Sequence, residues 1–395
     1  MRVFHLLGVL LVLLVPPAMA DPLATPDRRE RVEIDSPILD ATRQIVVQLP
    51  EGYADDPDRT YPVLFLTDAQ WQFDLVAATF DYHAYWGRIP DHIIVGLYNP
   101  VRNADLVPEP DPRYPSTGSG DTYLAHVTQE VLPGIAERYR TNGIRLLFGH
   151  SFGGVMTLNQ LLSRPDAFKA YIALGSSTWV SERVLFDRLE AAADRDFCGA
   201  VLYMAVGETD GGATVPDGEL FAERLETLSP QGLDWVFEIT PGENHFTNVP
   251  EGLHRAIAHI YPFAGQQAAL IAAGEAGGAA GVQAWFAAQE AGLGWRFVPQ
   301  TMELSLAGFA LGNDGHGEAA QAVFDTLEHR FPDNVEVVAV RANMLGQSGD
   351  VQAAIDVIDR AIALGEREGH PADRLQAFRD YRSRLEGRIE EGQGH

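Results

Sequence analysis

The sequence predicts an α/β fold, with a mostly parallel central sheet covered by helices on both faces, followed by an all-α region. Between residues 30 and 262, short apolar runs alternate with segments of helical periodicity, as strands and helices do in a parallel sheet. A G-x-S-x-G pattern at residues 149–153 stands where one apolar run meets a helix-like run. After about residue 263 no strand pattern remains, and Ala, Gly and Glu dominate.

The predicted strands are short apolar or alternating runs bounded by turn residues. The first two, residues 30–35 and 42–49, predict an antiparallel hairpin that joins the sheet. The later strands are predicted at residues 61–66, 92–97, 144–148, 168–174, 202–206 and 234–239. The helices between them are predicted at residues 75–85, 122–139, 155–162, 217–229 and 251–262.

The region after residue 263 predicts pairs of helices. Two apolar-periodic helices are expected within residues 304–330, and two more at 335–346 and 350–364. The segments 322–325 and 354–357 match at an offset of 32 residues, close to the roughly 34-residue period of tetratricopeptide repeats. We interpret this region as tetratricopeptide-like, and an unrelated array of helical hairpins is the alternative.

The first 20 residues have the features of an export signal. Arg2 supplies a positive charge, residues 3–15 are mostly apolar, and Ala18 and Ala20 form an A-x-A cleavage site before Asp21. The sequence therefore predicts a signal peptide at residues 1–20, an α/β domain at 21–264 and the helical region at 265–395. The mature protein is expected to be periplasmic or secreted, with no further membrane span.

Charge and cysteine content exclude several classes of function. The formal net charge of −26 makes a nucleic-acid partner unexpected, because phosphate binding requires a basic face. Cys198 is the only cysteine, so neither an intramolecular disulfide nor a cysteine-based zinc site can form. The sequence contains no H-E-x-x-H motif, P-loop or dinucleotide fingerprint, and we expect no metal or organic cofactor.

The G-x-S-x-G pattern lies in the strand–turn–helix context of a nucleophile elbow. Ser151 would stand at a sharp turn in a strained backbone conformation, which explains the glycines two residues away on either side, Gly149 and Gly153. The N-terminus of the following helix would favour a developing negative charge beside the serine. The alternative is a glycine-rich turn that contains a serine without a catalytic role.

A catalytic serine needs a histidine to take its proton and an acid to orient that histidine. His245 follows the strand at 234–239 in a Pro-Gly-Glu-Asn-His turn, and we predict that it is the base. His150 lies inside the elbow and is not expected to reach the hydroxyl group of its neighbour. Asp210 and Glu208, after the strand at 202–206, are both candidates for the acid, and Asp210 is favoured because it lies deeper in the loop.

An oxyanion hole requires two backbone N–H groups. We expect one from Phe152, directly after the serine, and the other from Gln70, in the loop after the strand at 61–66. Residues 99–120 form a long segment rich in Pro, Asp, Gly and Ser, and long loops in compact domains are usually functional or disordered. We expect this segment to form the rim of the active site.

Several motifs together resemble one family. They lie at residues 61–68, 93–97, 123–139, 149–154 and 241–246. On these motifs, residues 30–262 resemble the "Putative esterase" (esterase D-like) family of α/β-hydrolases, which includes siderophore, feruloyl and acetyl-xylan esterases and mycolyltransferases. The resemblance implies an α/β-hydrolase fold, a Ser151–His245–Asp210 triad, and Gln70 and Phe152 as hole donors. Ala69 departs from the glycine that is usual in the family after the aspartate.

These observations predict an exported serine ester hydrolase that works through an acyl-enzyme intermediate on a small-molecule ester. An acyltransferase with the same triad, in which an alcohol replaces water, is one alternative. The other is an interaction protein, whose helical region recruits a protein partner and whose hydrolase domain is vestigial.

Overall fold

The computed structural model describes residues 28–393, and the predicted signal peptide lies outside them. The chain divides into two compact units between Pro262 and Phe263. The first unit contains a sheet with helices on its faces, and the second is helical.

The first unit contains one eight-stranded sheet in the order β1-β2-β4-β3-β5-β6-β7-β8. The strands are β1 (Arg29–Ser36), β2 (Ala41–Gln48), β3 (Tyr61–Leu66), β4 (Ile93–Leu97), β5 (Thr141–His150), β6 (Ala170–Leu174), β7 (Ala200–Gly207) and β8 (Leu233–Thr240). β1 and β2 form the predicted antiparallel hairpin, and β2 also pairs antiparallel with β4. All the other pairs are parallel, which confirms the predicted α/β-hydrolase class of fold.

Eight α-helices accompany the sheet in the described part of the first unit. They are α1 (Ala69–Tyr85), α2 (Arg102–Leu106), α3 (Gly120–His126), α4 (Leu132–Arg138), α5 (Phe152–Ser163), α6 (Val184–Ala191), α7 (Thr214–Leu228) and α8 (Asn248–Ile260). A π-helical turn joins α3 to α4. α1 begins at Ala69 rather than at the predicted residue 75. The left-handed conformation of Asp68 (φ 56°) turns the chain directly after β3, so that the helix starts at the next residue.

The four strands β3, β4, β6 and β7 are buried along their whole length. This burial explains the unbroken apolar runs in the sequence, since a parallel sheet is covered on both faces. The carboxyl ends of parallel strands lie at one edge of the sheet, which is where ligands bind in folds of this kind. The predicted site residues all follow β3, β5, β7 or β8, so the topology places their loops along that edge.

The second unit consists of consecutive helices that pack against their neighbours in the chain. They are α9 (Gln266–Leu293), α10 (Thr301–Asn313), α11 (Gly317–Arg330), α12 (Val335–Ser348), α13 (Val351–Arg367) and α14 (Ala372–Gln393). The middle four correspond to the predicted helices, whereas α9 and α14 were not anticipated. α9 includes the glycine-rich stretch 273–281, and Gly278, with φ 57°, interrupts its helical backbone. The assignment to tetratricopeptide-like repeats stays a prediction.

Within residues 28–393 no helix has the length and apolar character that crossing a membrane would require.

We propose that the first unit folds and functions without the helical region predicted at residues 265–395. The buried apolar residues around the sheet lie between Ile45 and Tyr261, whereas the core clusters of the helical unit lie between Leu270 and Leu385. A truncated protein that ends at Phe263 should melt cooperatively and hydrolyse small esters with a kcat within about threefold of the full chain. An insoluble or inactive truncated protein would show that the helical region completes the fold or the site.

Buried histidines make the stability of the first unit sensitive to pH. His92 Nδ1–H donates to the Pro90 carbonyl oxygen at 2.6 Å, and Nε2 lies 2.9 Å from the Tyr261 hydroxyl. Burial lowers the pKa of His92 to about 3. Below the ordinary histidine pKa the unfolded chain therefore binds a proton that the folded chain does not, and stability falls as pH falls.

We expect His92 to reduce the free energy of unfolding by about 2 kcal/mol between pH 7 and pH 5. Denaturant titrations of the parent and of His92→Gln at both pH values measure this contribution. The variant should lose less stability than the parent on acidification, by about that amount. Equal losses in the two proteins would contradict the assignment of a neutral, buried His92.

Candidate active site

Ser151 follows the last residue of β5 and precedes the first residue of α5, so it occupies the turn between strand and helix. Its backbone has φ 61° and ψ −116°, a conformation that residues with side chains rarely adopt. The Ser151 N–H donates to the Leu174 carbonyl oxygen of β6 at 2.9 Å, and its carbonyl oxygen accepts from Val155 at 3.1 Å. The strained turn is thus held by the neighbouring strand and by its own helix.

The glycines on either side of Ser151 are required by close approach. A side chain at Gly149 would overlap the backbone of Gly153, and one at Gly153 would overlap the Thr67 hydroxyl group after β3. The elbow therefore packs directly against its own strand and against the neighbouring strand connection. This accounts for the G-x-S-x-G pattern in physical terms.

The Ser151 hydroxyl faces a second serine. Its Oγ lies 3.5 Å from the Oγ of Ser177, in the turn after β6, and the Ser177 N–H is 3.4 Å from the Ser151 carbonyl oxygen. Ser177 was not among the site residues predicted from the sequence. The only signal in the sequence is its position just after the strand that lies beside β5.

The loops after β7 and β8 bring Asp210 and His245 together. His245 Nδ1 lies 2.8 Å from Asp210 Oδ2, and the Asp210 side chain is only 3% exposed. The Glu208 carboxylate instead accepts a hydrogen bond from the Gly242 N–H at 2.7 Å. The two acids therefore divide two tasks between them: one contacts the imidazole, and the other fixes the backbone of the turn that carries it.

The two loops are also joined by their backbones. The Glu208 N–H donates to the Thr240 carbonyl oxygen at 3.0 Å, and the Thr209 N–H donates to the Glu243 carbonyl oxygen at 2.8 Å. β7 and β8 are neighbours in the sheet, which explains how loops 35 residues apart in the chain can pair in this way. Asp210 is the first carboxylate past this paired backbone, and it is free to turn toward the imidazole.

The two predicted oxyanion-hole residues belong to the first turns of two helices. Gln70 is the second residue of α1 and Phe152 the first of α5, so neither amide has an acceptor within its own helix. Neither amide donates a hydrogen bond within the described part of the chain. β3 and β5 are adjacent, and a side chain at Gly153 would reach Thr67, so the two first turns lie side by side.

An ion pair that was not predicted from the sequence connects these two turns. Arg102 Nε and Nη2 donate to the two carboxylate oxygens of buried Asp68 at 2.8 and 2.9 Å. Arg102 Nη2 also lies 3.5 Å from the His150 carbonyl oxygen, in the strand that carries the serine. Burial raises the pKa of Asp68, and the bonds from Arg102 oppose that rise. Arg102 comes from the predicted rim segment, of which α2 forms a short helical part.

The rest of the rim segment is fixed by a buried carboxylate. Asp111 accepts hydrogen bonds from the Ser181 N–H at 2.8 Å and from Arg113 Nε at 2.9 Å. These bonds, with Arg113 contributing most, lower the pKa of Asp111. The segment is irregular in backbone, as predicted, and it is held in place by side-chain bonds to other loops.

A cavity of about 600 Å³ borders the Gln70 side of the site. It is lined by Glu33, Thr42, Arg43, Gln44, Gln70, Trp71, Tyr98, Asn99, Pro100 and Arg102. Trp71 is 66% exposed, and Phe246, directly after His245, is 75% exposed. Large aromatic side chains so open to solvent, one in the wall of the cavity and the other next to His245 in the chain, are suited to contact a ligand.

The fold and this arrangement of residues define an α/β-hydrolase of the esterase type. Residues 36–246 match the model of the family described as "Putative esterase", and the chain belongs to that family.

The comparison with individual proteins agrees with this class. The chain is similar to the ferri-bacillibactin esterase BesA of Bacillus subtilis, with 29% identity over 232 residues, 51% of this chain and 79% of that protein. The structure is similar to an IroE-like serine hydrolase from Shewanella oneidensis, with a TM-score of 0.62 and 27% identity, over 77% of this chain and 99% of that one. A protein from Capnocytophaga ochracea shares the fold over 91% of this chain and 99% of its own, with a TM-score of 0.63 and 15% identity.

The contacts of the two loop acids predict different consequences of removing each charge. Asp210→Asn should reduce kcat by about 10³–10⁴-fold, because the imidazole loses the carboxylate that fixes its tautomer. Glu208→Gln is the matched control, and it should reduce kcat by about tenfold or less, since the Glu208 carboxylate bonds a backbone N–H of the turn and not the imidazole. Initial rates of the parent and of both variants, measured at one pH, give the kcat values to compare. A crippled Glu208→Gln enzyme beside a nearly normal Asp210→Asn enzyme would reverse the assignment.

Proposed function

We propose that the protein is a serine ester hydrolase in which Ser151, His245 and Asp210 form the catalytic triad. The observation that carries the proposal is the 2.8 Å contact between His245 Nδ1 and the buried Asp210 carboxylate. These two residues follow β8 and β7, and the strained Ser151 follows β5 at the same edge of the sheet. The order of the three residues along the chain is the one typical of α/β-hydrolases.

The proton steps follow from the tautomer of His245. A carboxylate at Nδ1 can only accept, so it holds the hydrogen on Nδ1 and leaves Nε2 free to take the proton of the Ser151 hydroxyl. Ser151 Oγ then attacks the ester carbonyl carbon, and His245 returns the proton to the departing alkoxide. Water, activated by the same imidazole, hydrolyses the acyl-enzyme and regenerates the serine.

Two backbone amides stabilise the tetrahedral intermediate in this proposal. The N–H groups of Gln70 and Phe152 are both in first helical turns, where they lack acceptors. Each helix also directs the positive end of its dipole toward the oxyanion. Removing one such donor in a serine protease costs about 10²–10³-fold in kcat, which shows the size of the effect that these amides can supply.

We further propose that the substrate is a siderophore ester. The name of the similar Bacillus subtilis protein, a ferri-bacillibactin esterase, supports this class. The cavity beside Gln70 supports it as well, because its wall combines the open indole of Trp71 with the guanidinium groups of Arg43 and Arg102. Arg102 lies 5.6 Å from the centre of the Trp71 ring, so a planar, electron-rich ligand would meet both a stacking surface and N–H donors.

We propose that this reaction takes place after export, in the periplasm or outside the cell. Support comes from the charged, apolar and A-x-A pattern of residues 1–20. The helical region is proposed to contact a protein partner.

The two alternatives differ from the hydrolase in their products. An acyltransferase would form a new ester with an added alcohol, and a vestigial hydrolase domain would form no product.

Kinetics of the parent and of Ser151→Ala on an ester panel test the proposal. The panel comprises short p-nitrophenyl esters, a feruloyl ester and a ferric catecholate siderophore ester. The parent should release free acid from these esters, with the highest kcat/KM on the siderophore ester. Ser151→Ala should lose activity by on the order of 10⁶-fold while its circular dichroism stays unchanged.

Three outcomes would contradict parts of this account. Activity of Ser151→Ala within tenfold of the parent would exclude the triad. Products that carry the acyl group on an added alcohol, in place of free acid, would favour the acyltransferase. A parent protein that is inactive on the whole panel would favour the interaction protein with a vestigial hydrolase domain.

A further inference from the structure

His150, the residue before the nucleophile, contacts the proposed base directly. Its Nε2 lies 2.7 Å from the backbone carbonyl oxygen of His245, and the centres of the two imidazole rings are 4.6 Å apart. His150 is 5% exposed, so this contact is shielded from water. The triad as proposed gives His150 no role.

The hydrogen-bond partners of His150 determine its tautomer. Its Nδ1 is 3.4 Å from Nε2 of Gln72, an amide nitrogen that can only donate. Nδ1 therefore accepts, and the ring hydrogen lies on Nε2, where it donates to the His245 carbonyl oxygen. Burial, with a smaller contribution from His245, lowers the pKa of His150 to about 4, so the ring is neutral at pH 7.

The backbone below the two rings leaves room for this contact. Gly175, in the turn after β6, has φ 51°, and a side chain there would lie 3.2 Å from His150 Nε2 and 3.3 Å from His245 Nδ1. A residue with a side chain would thus press against both imidazoles. The Gly175 N–H donates to the Ala205 carbonyl oxygen of β7 at 2.7 Å, which fixes this backbone in place.

The topology creates the need for such a contact. β5 carries the serine and β8 carries the histidine turn, and both β6 and β7 lie between them. Three strand spacings of about 4.8 Å amount to roughly 14 Å, which the turn after β8 has to cross. A misplacement of about 1 Å between reacting groups can cost on the order of 10²-fold in rate.

We propose that His150 is a positioning residue, which ties the backbone of the base to the turn of the nucleophile and so sets the Ser151–His245 geometry. The proposal rests on the triad described above. His150 is covalently joined to Ser151 and hydrogen-bonded to the backbone of His245, so it connects the two through one peptide bond and one hydrogen bond. A neutral ring is also required there, because a cation at this distance would oppose the imidazolium that forms on His245.

Two variants at position 150 test the role. His150→Phe keeps a planar ring of similar volume and removes the donor, whereas His150→Gln keeps an N–H donor. His150→Phe should lower kcat by about 10- to 100-fold with KM changed by less than about threefold. His150→Gln should recover kcat to within about fivefold of the parent.

His126→Phe is the matched control. His126 is another buried histidine of the same unit, and its Nδ1 contacts Glu130 Oε2 at 2.6 Å, within the helical segment α3–α4. This variant should lower the melting temperature and leave kcat at 25 °C within about twofold of the parent. If kcat falls in both Phe variants in proportion to their loss of stability, the effect at position 150 is structural, and the positioning role is overturned.

The outcomes separate this inference from the triad. If Ser151→Ala retains activity, the proposed function fails. If Ser151→Ala is inactive while His150→Phe keeps the kcat of the parent, the triad stands and the positioning role is overturned.

A measurement on the unaltered protein covers the case in which the variants do not fold. Nitrogen NMR of its histidines should show His150 neutral with its hydrogen on Nε2 at pH 7. A hydrogen on Nδ1 would overturn the proposal.

Discussion

The strained turn at Ser151 is the constraint on which the rest of the site depends. A residue with a side chain at φ 61° costs of order 1–3 kcal/mol, and it persists only where its surroundings fix it. Here the surroundings are β6, whose Leu174 accepts from the serine, and the strand connection after β3, against which Gly153 packs. The turn places the serine at the carboxyl end of β5, and it points the N-terminal turn of α5 toward the serine side chain. Both effects are needed before any base or acid can act.

The site is built from short connections between loops that are distant in the chain. Arg102 joins Asp68 to the strand of the serine, and Asp210 and Glu208 join the loop after β7 to the turn after β8. The two buried carboxylates in these connections, Asp68 and Asp210, are each paired with a basic side chain, which avoids the high cost of an isolated buried charge. Such pairing ties each loop to its neighbour at the carboxyl ends of the strands. A pre-organised site of this kind is expected of an enzyme that stabilises an oxyanion with fixed backbone dipoles.

Much of this arrangement could be predicted from the sequence, because strand patterns and residue order carry it. The apolar runs predict the buried parallel strands, and the serine, acid and histidine follow strands whose carboxyl ends share one edge. The start of α1 could not be predicted, since it depends on the left-handed Asp68, and α9 was missed because its glycines indicate a linker. Arg102, Ser177 and the bond from His150 to His245 were missed as well. Their roles arise from contacts between segments that no local pattern brings together.

The central claim is that Ser151 is a nucleophile activated by His245. Reaction with a fluorophosphonate, followed by peptide mass spectrometry, tests it most directly, because the reagent records both the serine and its activation. We predict a single adduct on the peptide that contains Ser151, at a rate that falls by at least about 100-fold in His245→Gln. An adduct on another serine, or labelling of Ser151 at the same rate in both proteins, would contradict the account.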